Sequence, residues 1–369
     1  MVKNGESLKI QNSVKLGLLG CAKIAEEALI KPIASIPNVS LLDVASRDIS
    51  KAAAYSKLYH IPRYFGGYDE LLNDDGINAV YIPLPNHLHL EWVIKAAEKG
   101  KHILVEKPLA LNAAEVQQMI DAAQRNGVYL LEGQWIQHTA LFKKSVELVR
   151  SGRWGPVKHL STRYTYYYPR YPERFHRHWD HSLAFIPTII LCTRLIKDSL
   201  TQMLSISNNM QDFRRRRATG GGCMYDVGCY SLQMIHHFSH SRVQSIAAEA
   251  DFSGPDGCDW TSSAWITFCN GMTANFLVSF DMSPTVSLRI ILENGIISVP
   301  SFIDKSNRIY IDNAEGHEEI IVPELNPYVE QLRHFVNVIQ GREQPIPPVD
   351  SLERTCMIDL FFKKTKRPN

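Results

Sequence analysis

The chain has no Cys-x-x-Cys pair, no apolar run of membrane-spanning length and no excess of charge of either sign. Its seven cysteines are odd in number and scattered. That argues against a disulfide framework and a structural zinc site, and marks most of them as small buried apolar residues. The longest apolar run, Leu183–Thr193, is 11 residues and contains Pro187, against roughly 20 for a membrane span. Lys and Arg total 40 and Asp and Glu 38, for a net charge of +2, and the one basic run, Arg214–Arg217, is short. No field draws the chain to nucleic acid or an anionic membrane, so neither is an expected partner, and Arg214–Arg217 is expected to be a charged surface turn. Met1–Ser13 is polar and lacks a signal core, so a cytoplasmic protein is expected. Glycine (21) and proline (19) are ordinary in number, and no internal repeat is present.

What is present is a pattern of alternation. The 369 residues suggest two domains at ~150 residues each. In the first, short apolar runs alternate with helical periodicity: strands at Val14–Leu19, Leu41–Ala45, Ala79–Ile82, His102–Val105 and Val128–Leu131, and helices at Ile24–Ile36, Ser50–Tyr59, His87–Lys99 and Ala113–Asn126. Nearly all-apolar strands between amphipathic helices predict a parallel sheet covered on both faces, the doubly wound α/β architecture of dinucleotide binding. Gly100 and Gly127 stand where helix C-caps belong. After residue 135 the texture changes. A helix at Phe142–Arg150 is followed by β-branched and aromatic runs at 157–168 and 242–322 without intervening helices, which predicts an antiparallel sheet. Helical stretches at Tyr328–Gln340 and Leu352–Lys364 close the chain. The expected division is residues 1–135 and 136–369, with 173–209 an unusual insertion in the second domain.

The first strand runs into Gly20-Cys21-Ala22-Lys23-Ile24-Ala25, a degenerate form of the glycine-rich fingerprint that cradles a pyrophosphate. Gly20 makes the tight turn, Ala22 replaces the glycine of closest approach, and Lys23 and Ile24 open the helix whose N–H groups face the anion. The second strand ends in Ser46-Arg47, where an NAD site would place Asp or Glu. Asp43 lies three residues too early. Arg47 suits a 2′-phosphate by paired charged hydrogen bonds, so NADP is expected ahead of NAD; the competing reading pairs Arg47 with Asp48 or Glu70 on the surface.

The strings GLLGCAKIA, ASRD, YIPLPNHLH, EKPLA and GGGCMYDVGCY together resemble the glucose–fructose oxidoreductase/inositol dehydrogenase (Gfo/Idh/MocA) family over residues 13 to 365. The form GGG followed by D-x-x-x-Y is similar to the branch holding glucose–fructose oxidoreductase, NADP-dependent D-xylose dehydrogenase and dimeric dihydrodiol dehydrogenase. The resemblance implies an N-terminal Rossmann domain and a C-terminal α/β domain whose open, mainly antiparallel sheet often forms a dimer interface, hence a homodimer or higher homo-oligomer. It implies an NADP-dependent dehydrogenase acting on a small polyhydroxylated substrate, a sugar or vicinal diol. It also implies that Leu84, Asn86, His89 and Glu106 line the nicotinamide side of the cofactor. A glycoside-cleaving NAD-dependent member and a catalytically impaired dinucleotide-binding homologue stand as alternatives.

In that light Lys107, just past the fourth expected strand–loop edge and aimed by Pro108, becomes a catalytic and cofactor-side ammonium rather than a solvated loop residue. Gly220-Gly221-Gly222 can bring backbone close to a ligand. Asp226 and Tyr230 are four apart and share a helix face. Asp226 can orient a substrate hydroxyl or pair with Lys107. Tyr230 can act as general acid or base, with the neighbouring ammonium expected to lower its pKa from ~10, or it can simply pack in the core. Which of Lys107 and Tyr230 transfers the proton stays open. Gln137 stands where relatives often carry Arg. His176, His178 and His181 with Asp180 match no common zinc spacing and are expected in a solvated loop, so no metal is expected.

Overall fold

A computed structural model describes residues 13–170, 212–303 and 307–365. Most of the 173–209 segment, with His176, His178, Asp180 and His181, lies outside the described residues. Six parallel strands form the first sheet: β1 (Val14–Leu19), β2 (Val39–Ala45), β3 (Arg63–Phe65), β4 (Ala79–Ile82), β5 (His102–Glu106) and β6 (Leu130–Gly133). They lie in the order β3-β2-β1-β4-β5-β6, so the order reverses between β1 and β4. A crevice opens at the carboxyl ends there, the place where doubly wound sheets bind ligands.

Each strand forms for the reason its sequence suggests. In β1 only Lys15 is exposed and the other five side chains are buried. Leu19, Val80, Ile82, Ile103 and Val105 face α4 (His89–Glu98) and α5 (Ala113–Arg125). The opposite faces of the same strands, Leu16, Leu18, Tyr81 and Leu104, pack on a different set of helices. The first of these is a π-helical turn, Glu26–Ile30, continuing into α1 (Lys31–Ile33). It stops three residues short of the expected Ile36, because Asn38 must take φ +61° to turn into β2. α2 (Ile49–Tyr59) begins at the Asp48 cap, which accepts from Ser50 and Lys51 N–H. The short β3 and α3 (Tyr68–Leu72) escaped the sequence reading because a three-residue edge strand leaves no period to detect. Gly100 and Gly127 end their helices at φ +67° and +63°, as expected of C-cap glycines.

The second sheet has eight strands in the order β14-β13-β12-β11-β7-β10-β9-β8: β7 (Val157–Tyr167), β8 (Val243–Asp251), β9 (Thr261–Phe268), β10 (Thr273–Ser279), β11 (Asp281–Leu292), β12 (Gly295–Val299), β13 (Arg308–Asn313) and β14 (Gly316–Ile321). It is antiparallel except where β7 runs parallel to β10. Leu160, Ile266, Phe268, Phe276 and Leu288 point inward against α6 (Ala140–Arg150) and α7 (Cys229–Ser239). The intervening residues face outward. Among the described residues no helix is long and apolar enough to cross a membrane.

The chain then returns to the first sheet. α8 (Pro327–Ile339) seats Leu332, Phe335, Val336 and Ile339 in one cluster with Leu16, Leu18 and Leu29. The last helix, α9 (Pro348–Lys364), carries Arg354 onto Glu132 at the end of β6, with both side chains 6% exposed. The same carboxylate accepts from Ser351 Oγ at 2.5 Å and from Leu109 N–H at 3.1 Å, so it ties the last helix to the loop after β5. Arg354→Ala leaves that carboxylate buried and unpaired. A loss of roughly 3–5 kcal/mol in urea-denaturation stability is expected, and a loss below about 1 kcal/mol, the range of an exposed pair, would contradict the latch.

Candidate active site

The loop after β5 is braced from three sides. The Lys107–Pro108 peptide bond is cis. Leu109 N–H is held by Glu132. His89 is fully buried, with Nδ1 3.1 Å from the carbonyls of Pro108 and Leu109 and Nε2 2.8 Å from that of Leu84. His89 thus ties the loop after β4 to the loop after β5 and offers a ligand nothing. The expectation that it touches the cofactor is corrected: its ring is engaged and out of reach.

From this braced loop Lys107 reaches across to the second domain. Its Nζ donates to the Asp226 carbonyl at 2.5 Å and to Asp226 Oδ1 at 3.1 Å, and it lies 4.8 Å from the centre of the Tyr230 ring. Met224–Gly228 winds as a π-helical turn before α7, and the expected shared face of Asp226 and Tyr230 holds across that transition. Asp226 Oδ2 accepts from Tyr166 Oη at 2.6 Å and from Arg214 Nε at 3.0 Å. One carboxylate therefore gathers an ammonium, a guanidinium and a phenol.

Protonation follows from this arrangement. Burial raises the Asp226 carboxyl, but Arg214 and Lys107 outweigh burial and hold it well below the usual carboxylate range. Burial lowers Lys107, but Asp226 outweighs it, so the ammonium is held above its ordinary value. Burial raises Glu106, whose Oε1 accepts from Tyr81 Oη at 2.5 Å. Tyr230 departs from expectation: burial and neighbouring tyrosines push its phenol well up, not down. The reason is geometric. Lys107 sits over the ring face and its charge is directed at Asp226. Tyr230 is accordingly a neutral proton carrier.

The Arg214–Arg217 run is likewise corrected from a surface turn, since Arg214 lines the cleft and Arg215 is 2% exposed. The three glycines explain why. Gly221 and Gly222 N–H donate to the carbonyls of Arg216 and Arg214 at 2.9 and 3.0 Å. A Cβ on Gly221 would stand 2.7 Å from both of those oxygens. The glycines let the backbone fold against the arginine turn; close approach to a ligand is not their observed role.

The cleft measures about 430 Å³ and is lined by Leu84, Asn86, Glu106, Lys107, Asp226 and Tyr230 from the expected set, with Ile24 at its edge. The sequence reading missed Trp135, Tyr164, Tyr166, Phe213, Arg214 and Tyr328, which also line it. An alternating aromatic pattern in β7 (Tyr164, Tyr166) was the available signal. Asn86 Nδ2 donates to the Gly220 carbonyl at 3.1 Å, closing the seam between the domains. Gln137 pairs with Gln233 at 3.2 Å and does not line the cleft.

The residues of the crevice fit a dinucleotide. Gly20 takes φ +102°, and a Cβ there would come within 2.9 Å of Leu84 Cδ2. Ala22 follows with its carbonyl accepting from Tyr55 Oη at 3.1 Å, and Lys23 is exposed beside it. Ser46 is buried at the end of β2. Asp43 is fully buried against Arg63, out of a ribose's reach. Arg47 is exposed and forms no ion pair among the described residues, bonding instead to the Tyr68 hydroxyl. Asp48 is engaged as the α2 cap, so the surface pairing of Arg47 does not form. Among the described residues no cluster suits a metal ion.

Comparison with known proteins agrees with this geometry. The model of the GFO/IDH/MocA oxidoreductase family's NAD-binding Rossmann fold matches residues 14–134, and that of the GFO/IDH/MocA C-terminal domain matches residues 199–298. An uncharacterized oxidoreductase of Rhizobium meliloti is 31% identical, covering 96% of this chain and 98% of its own. D-xylose 1-dehydrogenase (NADP(+)) 2 of Haloferax volcanii is 29% identical over 95% of this chain and 97% of its own. A 3-ketoreductase from Actinomadura kijaniata, solved with NADP and TDP-benzene, superposes with a TM-score of 0.76 at 20% identity, covering 96% of this chain and 98% of that one.

Asp226 carries a pH signature. Its folded carboxyl lies below the ~3.9 of an unfolded chain, so its stabilisation is present above that value and is lost as pH falls through the folded one. Asp226→Asn is expected to cost roughly 3–5 kcal/mol at neutral pH, with the gap to wild type narrowing below about pH 4. Urea denaturation across that range checks it. A gap independent of pH would show that the carboxylate is not the charge holding the cluster.

Proposed function

The chain belongs to the Gfo/Idh/MocA family of NAD(P)-dependent oxidoreductases, and from that premise we propose that it is a cytoplasmic, NADP-dependent dehydrogenase of a sugar or vicinal diol. One observation carries the reading: Lys107, Asp226 and Tyr230 converge at the carboxyl edge of the parallel sheet, beside the strand-order reversal. The name of the Haloferax relative, an NADP-linked xylose dehydrogenase, supports it. So does the unpaired Arg47, whose guanidinium suits a 2′-phosphate.

Gly20, Ala22, Lys23 and Ile24 hold the pyrophosphate in this reading, Ser46 and Arg47 the adenosine ribose, and Leu84, Asn86, Glu106 and Lys107 the nicotinamide side. The bound nicotinamide supplies hydride chemistry at its C4. The protein's own share is position and protonation. Lys107 and Tyr230 both carry protons and both face the cleft. A substrate oxygen placed between them receives two hydrogen bonds. In reduction Tyr230 Oη gives that oxygen its proton; in oxidation the hydroxyl proton returns by the same route. Lys107 stabilises the negative charge that grows on the oxygen during either passage. The aromatic walls, Trp135 and Tyr164 with ring centres 5.5 and 5.4 Å from that of Tyr230, keep water out and stack on the apolar face of a ring.

The complete cluster weighs against an impaired homologue, and no feature of the cleft favours glycoside cleavage. A homo-oligomer would form on the outward face of the second sheet, where Trp265 is 51% exposed and stacked on His159.

The test is turnover of NADP⁺ and NAD⁺ with aldoses, inositols and cyclic trans-diols, wild type beside Lys107→Ala. NADP-linked activity is expected. The variant should keep NADPH binding and lose roughly 10²–10⁴-fold in kcat. Wild-type rates in the variant would refute the role of Lys107, and a wild type that binds NADPH but turns over none of these substrates would refute the reading.

A further inference from the structure

Arg214 is held at one end only. Its Nε is fixed on Asp226 Oδ2 at 3.0 Å. Its Nη1 has only the long contacts to Asp212 at 3.4 and 3.5 Å, and no partner of Nη2 is found among the described residues. A guanidinium presents five N–H donors in a rigid planar fork, so most of the outer edge is left to the cleft that Arg214 lines. The Phe213 ring lies 4.5 Å from the guanidinium carbon and fixes its plane.

The surrounding backbone is built to keep that plane still. Asp212 Oδ1 accepts from Arg214 N–H at 2.9 Å, Gly222 N–H donates to the Arg214 carbonyl at 3.0 Å, and Thr219 Oγ1 donates to the Phe213 carbonyl at 2.8 Å. Lys107 and Arg214 stand on the two oxygens of one carboxylate. Two sets of donors are therefore side by side: one aimed at the reacting oxygen, the other offset by about the width of a carboxylate.

We propose that Arg214 is the specificity-determining residue of this site, donating from its outer edge to a second substrate oxygen on the carbon next to the reacting one. The proposal rests on the dehydrogenase reading above and adds a requirement to it: the substrate must carry two neighbouring oxygens. Net charge does not single out an anionic substrate, because Asp212, Asp226 and Glu106 face Lys107 and Arg214. The arrangement suits a neutral vicinal diol or hydroxy-ketone. Bringing the second oxygen to Arg214 replaces solvent on donors that have no protein acceptor, and a substrate lacking that oxygen leaves them unpaired in a half-closed aromatic cleft.

The experiment compares trans-cyclohexane-1,2-diol with cyclohexanol as substrates with NADP⁺, in wild type, Arg214→Gln and Arg214→Lys. The readout is the ratio of the two kcat/KM values, which general damage to the fold or to Asp226 would not change. Wild type is expected to favour the diol. Arg214→Gln should collapse the ratio by roughly 10–100-fold, and Arg214→Lys should restore part of it. An unchanged ratio in Arg214→Gln overturns the proposal, even if both rates fall. Should wild type oxidise neither alcohol, the dehydrogenase reading with these substrates fails, and the proposal is judged on calorimetric binding of the diol to the NADPH complex. Binding by wild type and its loss in Arg214→Gln support the proposal; equal binding, or no binding by wild type, overturns it.

Discussion

A single buried carboxylate organises this molecule. Asp226 draws Lys107 from the first domain, Arg214 from the turn before the glycines and Tyr166 from β7 onto its two oxygens. Removing three such groups from water is costly for each alone, and the cost is met only because each finds its partner in the others. The charged state of every member depends on the rest. Asp226 stays ionised because two cations face it, and Lys107 stays protonated because Asp226 does. The cleft thus presents proton donors in a fixed direction, which is what a site that adds or removes a proton at one oxygen needs.

The fold serves that carboxylate. The parallel sheet ends its fifth strand at Lys107, and the loop there is held by His89 from one side and Glu132 from the other. The second domain supplies the facing wall through a π-helical turn running into α7. Asn86 bonded to Gly220, and Tyr225 Oη bonded to the Leu111 carbonyl at 2.8 Å, stitch the two walls together. The last two helices close the arrangement: α8 completes the core of the first sheet, and α9 brings Arg354 to the carboxylate that also holds the Lys107 loop. The cofactor crevice and the proton-handling cluster meet along Leu84, Asn86 and Glu106.

Much of this was legible in the sequence, because the first domain depends on short-range pattern. All-apolar strands, amphipathic helices and cap glycines give periodic signals, and the β1 loop and the EKP string sit at strand ends that the pattern locates. The pairing of Lys107 with the Asp226 face could be named once Asp226 and Tyr230 fell on one helix side. What remained hidden depends on tertiary context. Arg214 reads as surface charge until the glycines fold the turn inward. His89 looks like a ligand contact until both nitrogens meet main-chain carbonyls. The phenol of Tyr230 is governed by burial among Trp135, Tyr164 and Tyr328, three residues far apart in the chain, and no local rule reports on that. The packing of α8 on the first sheet is of the same kind, since its amphipathic pattern shows a buried face but not which core receives it.

The most direct measurement is a crystal structure of the protein with NADP⁺ and a vicinal diol bound. The account predicts the nicotinamide ring in the crevice between β1 and β4, with one substrate oxygen in hydrogen-bonding reach of both Lys107 Nζ and Tyr230 Oη and its carbon facing the ring. A nicotinamide seated elsewhere, or a substrate oxygen bound with those two groups turned away from it, would contradict the account.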